Sequence, residues 1–180
     1  MGSGKTAVGR QLAKELGRDF VDSDLEIEQR TGVDIPYIFE REGEAGFRAR
    51  EKSVLAELTT LDNVIIATGG GAILDADSRK RLRSTGIVVY LKTGIDEQLK
   101  RTGHARKRPL LVAADPRTVL ESLMAVRRPL YEELADLTVD TTGLKVRSVA
   151  ATLRKLLPGH GISPLQKRAA PENLHSRGDD

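Results

Sequence analysis

Several short groups of residues in this sequence are of the types that do chemistry. Gly2-Ser3-Gly4-Lys5-Thr6 matches the end of a phosphate-binding loop. In such a loop, glycines let backbone N–H groups wrap a phosphate, a lysine adds positive charge and a hydroxyl ligates Mg²⁺. A helix following Thr6 presents its N-terminus to the same anion. Asp22-Ser23-Asp24 follows the apolar pair Phe20-Val21. That order puts two carboxylates at a strand end, one suited to hold Mg²⁺ through water and the other to face an acceptor hydroxyl. Read alone, the pair is more often a helix N-cap, and Asp24 suits that place ahead of a helix over 25–31.

Three further groups suit anionic or close-approaching ligands. Gly69-Gly70-Gly71 follows an apolar run and either leaves room for a ligand to touch the backbone or is a plain loop. Arg48 and Glu51, three apart on a helix, can lock a guanidinium for bidentate binding of a carboxylate, and a solvated ion pair explains them equally well. Arg127-Arg128-Pro129-Leu130-Tyr131 brings two guanidiniums to a helix end, for a second carboxylate contact or as surface charge. The basic stretch 101–108 matches a small anion better than a polymer.

Composition narrows the field. The 180 residues fit one domain with a sizeable core. A net charge of +3 on a chain that is 31% charged, with only 3% aromatic residues, does not call for nucleic acid as a partner. There is no cysteine, and His104, His160 and His175 are too scattered to form a cluster. Any metal is therefore a hard, oxygen-ligated ion such as Mg²⁺. No apolar run approaches the length of a membrane span and no signal-type leader is evident, so a cytoplasmic location is expected.

The elements that must position these groups follow from periodicity. Val8, Leu12 and Leu16 predict a helix over 5–16, with Gly17 as its C-terminal cap. Helices are also predicted over 25–31, 34–41, 44–60, 75–84, 95–101, about 117–134 and 146–157. Short apolar runs at 20–21, 64–67, 87–91 and 137–139 have the pattern of buried parallel strands. Alternating strands and helices predict an α/β fold, a three-layer α/β/α sandwich around a parallel sheet, with ligands beyond the carboxyl ends of the strands. The stretch about 102–114 reads as a mobile lid and 158–180 as a disordered tail, leaving 1–157 as the domain.

Together GSGKT, DSD, GFRARE, TGGGA, RTGHARKRPLL and RRPLY occur in the order and approximate spacing of the shikimate kinases, and the resemblance spans residues 1 to about 157. It implies a P-loop kinase that uses ATP and Mg²⁺ to phosphorylate the 3-hydroxyl of shikimate, on the way to chorismate and the aromatic amino acids. By that resemblance Gly2, Ser3, Gly4, Lys5, Thr6 and Ala7 bind nucleotide phosphates, with Lys5 also catalytic. Thr6 and Asp22 hold Mg²⁺, and Asp24 contacts the acceptor hydroxyls as the proposed base. Arg48, Gly70 and Arg127 hold the shikimate carboxylate and ring, and Phe39 and Phe47 line the pocket. Arg108 is the lid arginine that reaches the transferring phosphate, and Arg101 stacks near adenine.

A single chain, shikimate as small-molecule partner and no membrane or nucleic acid complete the expectation. Gluconate kinase is the nearest enzymatic rival and a non-catalytic protein the rival from another class. The full loop motif carries another glycine and a strand ahead of Gly4. We expect Met1 to be an internal loop residue preceded in frame by that strand, the alternative being a shortened, impaired protein.

Overall fold

The computed structural model describes residues 2–102 and 115–160. Arg108, the rest of the expected lid and the expected tail from residue 161 lie outside them. The described chain alternates helices and strands: α1 (Lys5–Leu16), β1 (Asp19–Asp22), α2 (Ser23–Thr31), α3 (Ile35–Leu58), β2 (Val64–Ala67), α4 (Ala76–Thr85), β3 (Val89–Lys92), α5 (Ile95–Thr102), α6 (Pro116–Leu134), β4 (Leu137–Asp140) and α7 (Val146–Leu156). One-turn 3₁₀ segments follow β2 at Ala72–Leu74 and α7 at Leu157–His160.

Period-two alternation in the strands sets the layers. Ile65 packs against a cluster built from α1 and α7, including Val8, Leu12, Leu16, Val149 and Leu153. Its neighbour Ile66 packs the other way, with Ile27, Ile38, Phe47, Val54 and Leu58 of α2 and α3. In β3, Val89 and Leu91 join the first cluster, while Tyr90 stacks on Tyr131 of α6 with ring centroids 4.9 Å apart. Helices therefore cover both faces of the strands, as expected for a three-layer α/β fold. The predicted Gly17 cap is present, its N–H donating to the Ala13 carbonyl.

The strand pairing differs from the expectation of one sheet. The strands are parallel, but they form two pairs: β1 with β2 in the register Asp19 to Val64, and β3 with β4 in the register Val89 to Leu137. Between β2 and β3 lies a cavity of about 370 Å³, with Val64, Ile65 and Ile66 on one side and Val88, Val89 and Tyr90 on the other. Leu12, Leu16 and Leu153 reach it from one layer and Met124 and Leu134 from the other. The helical run of α3 joins the two helices expected over 34–41 and 44–60, broken at Gly43 where φ is 70° and ψ is −176°. A side chain there would be strained, so glycine lets the chain change direction between Phe39 and Phe47.

Leu153 is 2% exposed in the cluster that holds α7 on α1, whereas Leu156, one turn on, is 41% exposed. Leu153→Ala is expected to lower the unfolding free energy by about 2–5 kcal/mol. Leu156→Ala should change it by less than about 0.5 kcal/mol. Urea denaturation of the two variants checks the pair.

Candidate active site

The phosphate-loop residues stand at the carboxyl end of β1. Gly4 has a φ of 83°, a left-handed conformation that glycine adopts without cost, and its carbonyl accepts the first helical bond from the Val8 N–H at 2.9 Å. Lys5 opens α1, so the first-turn N–H groups of that helix face the loop. Ala7 is exposed on the same first turn. The Thr6 hydroxyl donates to the Asp22 carboxylate at 2.6 Å, tying α1 to the end of β1.

Asp22, and not Asp24, caps the helix that follows. Its Oδ1 accepts from the backbone N–H groups of Asp24 at 3.0 Å and Leu25 at 3.5 Å, and α2 starts at Ser23. The cap expected at Asp24 is thus corrected by two residues. The reason is that β1 ends at Asp22, whose extended backbone suits the capping position, while Asp24 already lies in the first turn. Capping leaves Asp22 Oδ2 on the Thr6 hydroxyl and Asp24 directed at the loop after β2.

That loop is the glycine run, and its three members fit against five different side chains. A Cβ on Gly69 would sit 2.3 Å from Glu51 Oε1 and 2.7 Å from Asp24 Oδ1. On Gly71 it would sit 2.2 to 2.4 Å from the Arg48 guanidinium. On Gly70 it would sit 3.3 Å from the Tyr131 hydroxyl and 3.6 Å from Arg127. The space expected for a ligand at Gly69 and Gly71 is therefore taken by the protein's own charged groups, and the glycines let those groups converge. Ser23, fully buried, accepts the Gly69 N–H at 3.0 Å, and the Tyr131 hydroxyl donates to the Gly70 carbonyl at 2.5 Å.

The acidic and basic groups here are coupled. Arg48 donates to Glu51 at 2.6 Å and to Glu44 at 2.9 Å, and its guanidinium lies 5.2 Å from the centre of the Phe47 ring. Partial burial works against the Arg48 charge, but Glu51 and Glu44 outweigh it and hold its pKa above the usual arginine value. Glu51 is 2% exposed, and among the described residues its Oε1 has no hydrogen-bond partner. Burial pushes its carboxyl above the usual range; Arg48 opposes this and the nearby Asp24 adds to it. The two partners thus respond differently to one bridge, because the loss of hydration at Glu51 exceeds what Arg48 and, more weakly, Arg127 return. Arg127 is also buried, at 5% exposed.

The remaining expected residues fall on either side. Phe39 and Phe47 are in ring contact at 4.9 Å, with Phe47 buried in the core and Phe39 half-buried beside it. Arg101 bonds Glu97 at 2.9 Å, the Gly2 carbonyl at 3.3 Å and the Thr141 carbonyl at 3.2 Å. It therefore ties the phosphate loop to the segment after β4. Tyr131, Ser23, Glu44 and Thr141 were not assigned roles from sequence. Glu44, four residues before Arg48, was legible as a helical pair; the others are set by contacts 40 or more residues away.

The arrangement offers a cradle for phosphate beside a hydroxyl and carboxylate pair. Thr6 and Asp22 are hard oxygen donors in contact, the set that Mg²⁺ takes when phosphates and water complete its coordination. Among the described residues no group of three or more acidic or histidine side chains is built to hold a metal unaided.

Comparison with known proteins agrees with this geometry. Residues 1–158 match the family model described as shikimate kinase. The shikimate kinase of Halorhodospira halophila is 55% identical over 159 residues, covering 88% of this chain and 90% of that protein. That of Hahella chejuensis is 53% identical over 158 residues, covering 86% and 82%. The solved structure of shikimate kinase from Acinetobacter baumannii in complex with shikimate superposes with a TM-score of 0.87 at 48% identity, covering 91% of each chain.

The buried Glu51 gives a pH test. Its folded carboxyl binds a proton at higher pH than it does in the unfolded chain, where carboxyls of this type titrate near about 4.3. Above that value the folded state holds more protons than the unfolded one, so stability falls as the pH rises through the folded pKa. Below it this contribution is complete. Glu51→Gln removes the titration, and the decline in stability from about pH 4 to pH 7 should be shallower in the variant. Urea midpoints across that range measure it, and an equal or steeper decline in the variant would contradict the burial argument.

Proposed function

The chain belongs to the shikimate kinase family, and on that premise we propose that its described site transfers the γ-phosphoryl of ATP to the 3-hydroxyl of shikimate, with the roles that follow. The observation that carries the reading is the convergence on three consecutive glycines. Two carboxylates, Asp24 and the Arg48-paired Glu51, and two guanidiniums, Arg48 and Arg127, meet there beside the phosphate loop. Shikimate has a ring carboxylate and neighbouring hydroxyls, and this arrangement offers cations for the first and an acceptor for the second.

In this reading Arg48 and Arg127 hold the substrate carboxylate and fix the ring. Gly70, with its carbonyl pinned by Tyr131, supports the ring from the backbone side. Phe39 packs along the approach to the pocket, and Phe47 supports Arg48 from the core. Asp24 orients the attacking hydroxyl and accepts its proton as the bond to phosphorus forms. Residues 2–7 cradle the donor phosphates through N–H groups, and Lys5 offsets charge on the phosphoryl as it passes. The Thr6 hydroxyl and Asp22 would hold Mg²⁺, which would supply further charge neutralisation on the phosphate oxygens.

Arg108, outside the described residues, is assigned to the moving phosphoryl. Arg101, set between the phosphate loop and the segment after β4, borders the adenine side. The domain spans residues 1–157 and acts as a monomer in the cytoplasm. No described helix is long and apolar enough to cross a membrane.

ADP release in the presence of Mg²⁺, with shikimate, gluconate and AMP offered separately, tests the assignment. Turnover with shikimate alone is expected; preference for gluconate or AMP, or turnover with none, refutes it. Arg127→Ala should raise the KM for shikimate roughly 10–100-fold, the cost of about 1.5–3 kcal/mol for one charge-assisted contact, while leaving the KM for ATP within about twofold. Asp24→Asn should instead lower kcat about 10²–10⁴-fold, the range for losing a positioned base. Steady-state kinetics of the two variants separate binding from transfer.

A further inference from the structure

The guanidinium of Arg48 is enclosed on most sides by its own chain. A Cβ on Gly71 would sit 2.2 Å from Nη1 and 2.4 Å from Nη2, so the glycine loop lies against the end of the group where those two nitrogens meet. The centre of the Phe47 ring is 5.2 Å from its central carbon, and Nη1 donates to Glu51 Oε2 at 2.6 Å. The edge that remains is formed by Nε and Nη2. Two N–H groups on one edge of a guanidinium are a fork with which arginine takes a carboxylate through both of its oxygens.

Glu44 fills that fork. Its Oε1 accepts from Nε at 3.2 Å and from Nη2 at 2.9 Å, so a single oxygen serves both donors. A carboxylate bound squarely gives each N–H an oxygen of its own, and Glu44 falls short of this. Its reach is set by the helix, since it lies four residues before Arg48, directly after the break at Gly43. Glu42, on the other side of that break, is committed to Arg50 at 2.9 and 2.8 Å.

The two carboxylates on Arg48 differ in how readily they leave it. The Glu51 side chain is 3% exposed, and its release would strand charge in the interior. The Glu44 side chain is 52% exposed, and its release passes it into water. An exposed pair of this kind contributes little, so water replaces Arg48 at small cost. A further carboxylate arriving at Arg48 therefore displaces Glu44 and leaves Glu51 in place.

We propose that Glu44 stands in for the substrate carboxylate: it occupies the Nε–Nη2 fork of Arg48 in this structure and gives that fork up to an anionic carboxylate ligand. The proposal rests on the assignment of Arg48 to the substrate carboxylate. It gives the two glutamates opposite effects on binding. Glu51 orients Arg48 and supports the ligand, whereas Glu44 competes with it.

Calorimetric titration of the whole chain without nucleotide tests this, on the wild type, Glu44→Gln and Glu44→Ala. Three ligands are used: shikimate, cyclohex-1-ene-1-carboxylate, which keeps the carboxylate and lacks the hydroxyls, and the methyl ester of shikimate, which lacks the charge. Both variants are expected to bind the two carboxylates roughly 1.5- to fivefold more tightly than the wild type, the range for releasing one exposed ion pair. The ester should gain nothing. In steady-state kinetics the gain should fall on the KM for shikimate and not on kcat. Carboxylate binding that is unchanged or weaker in both variants overturns the proposal and shows that Glu44 only steadies Arg48. An equal gain for the ester also overturns it, because the effect is then not one of charge. Either result alongside normal shikimate turnover leaves the kinase assignment standing. If the wild type binds cyclohexenecarboxylate and not shikimate, the substrate assignment fails and the cyclohexenecarboxylate series still decides the role of Glu44. Binding of neither carboxylate by any form overturns both.

Discussion

A carboxylate buried to 2% exposure beside a second carboxylate is a poor place for charge, and the acceptor side of this site is arranged around that fact. Glu51 cannot be hydrated, so it takes Arg48 as its partner and draws the guanidinium over the glycine loop. Arg48 is thereby held in one orientation before any ligand arrives, with Glu44 on its other edge and the Phe47 ring beneath it. The entropy of ordering a long side chain is spent in folding and not in binding. Removing one partner of such a pair costs more than the pair contributes, which makes the arrangement hard to alter by halves.

The donor side depends on a smaller contact. Asp22 has two oxygens with two separate duties: one caps α2, and the other accepts the Thr6 hydroxyl from the first turn of α1. Because Asp22 ends β1 and Asp24 lies two residues on, the spacing between the two carboxylates is set by one strand end and one helical turn. Ser23, between them, is fully buried and fastens the glycine loop to the same turn. Asp22 thus meets the Thr6 hydroxyl, Ser23 the Gly69 N–H and Asp24 the side of Gly69 that lacks a Cβ.

Much of this was legible in the sequence because it is local. Periodicity located the helices to within about two residues, and apolar runs located the four strands. The break at Gly43 was also legible, since two helices were expected where one helical run is interrupted. What periodicity does not carry is the identity of neighbours. The glycine run signalled close approach, but nothing in the order of residues says that Glu51, Asp24, Arg48 and Arg127 are what approach it. The cap shifted from Asp24 to Asp22 for a similar reason: either aspartate can cap, and the end of β1, fixed by its pairing with β2, decides which one does. The division of strands into two pairs depends on which edges meet, and short apolar runs do not report that.

The close fit at the glycines bears on how this site can change over generations. Each of the three is crowded by different neighbours, Gly69 and Gly71 by charged groups. A methyl group at Gly69 or Gly71 collides before it contributes anything, and trimming Arg48 or Glu51 first strands the other charge in the interior. Neither order of events passes through a well-packed intermediate. The packing at this corner is therefore shielded from drift by the absence of an acceptable single step, and diversity among relatives is expected to gather where neighbours are fewer, such as the segment after β4.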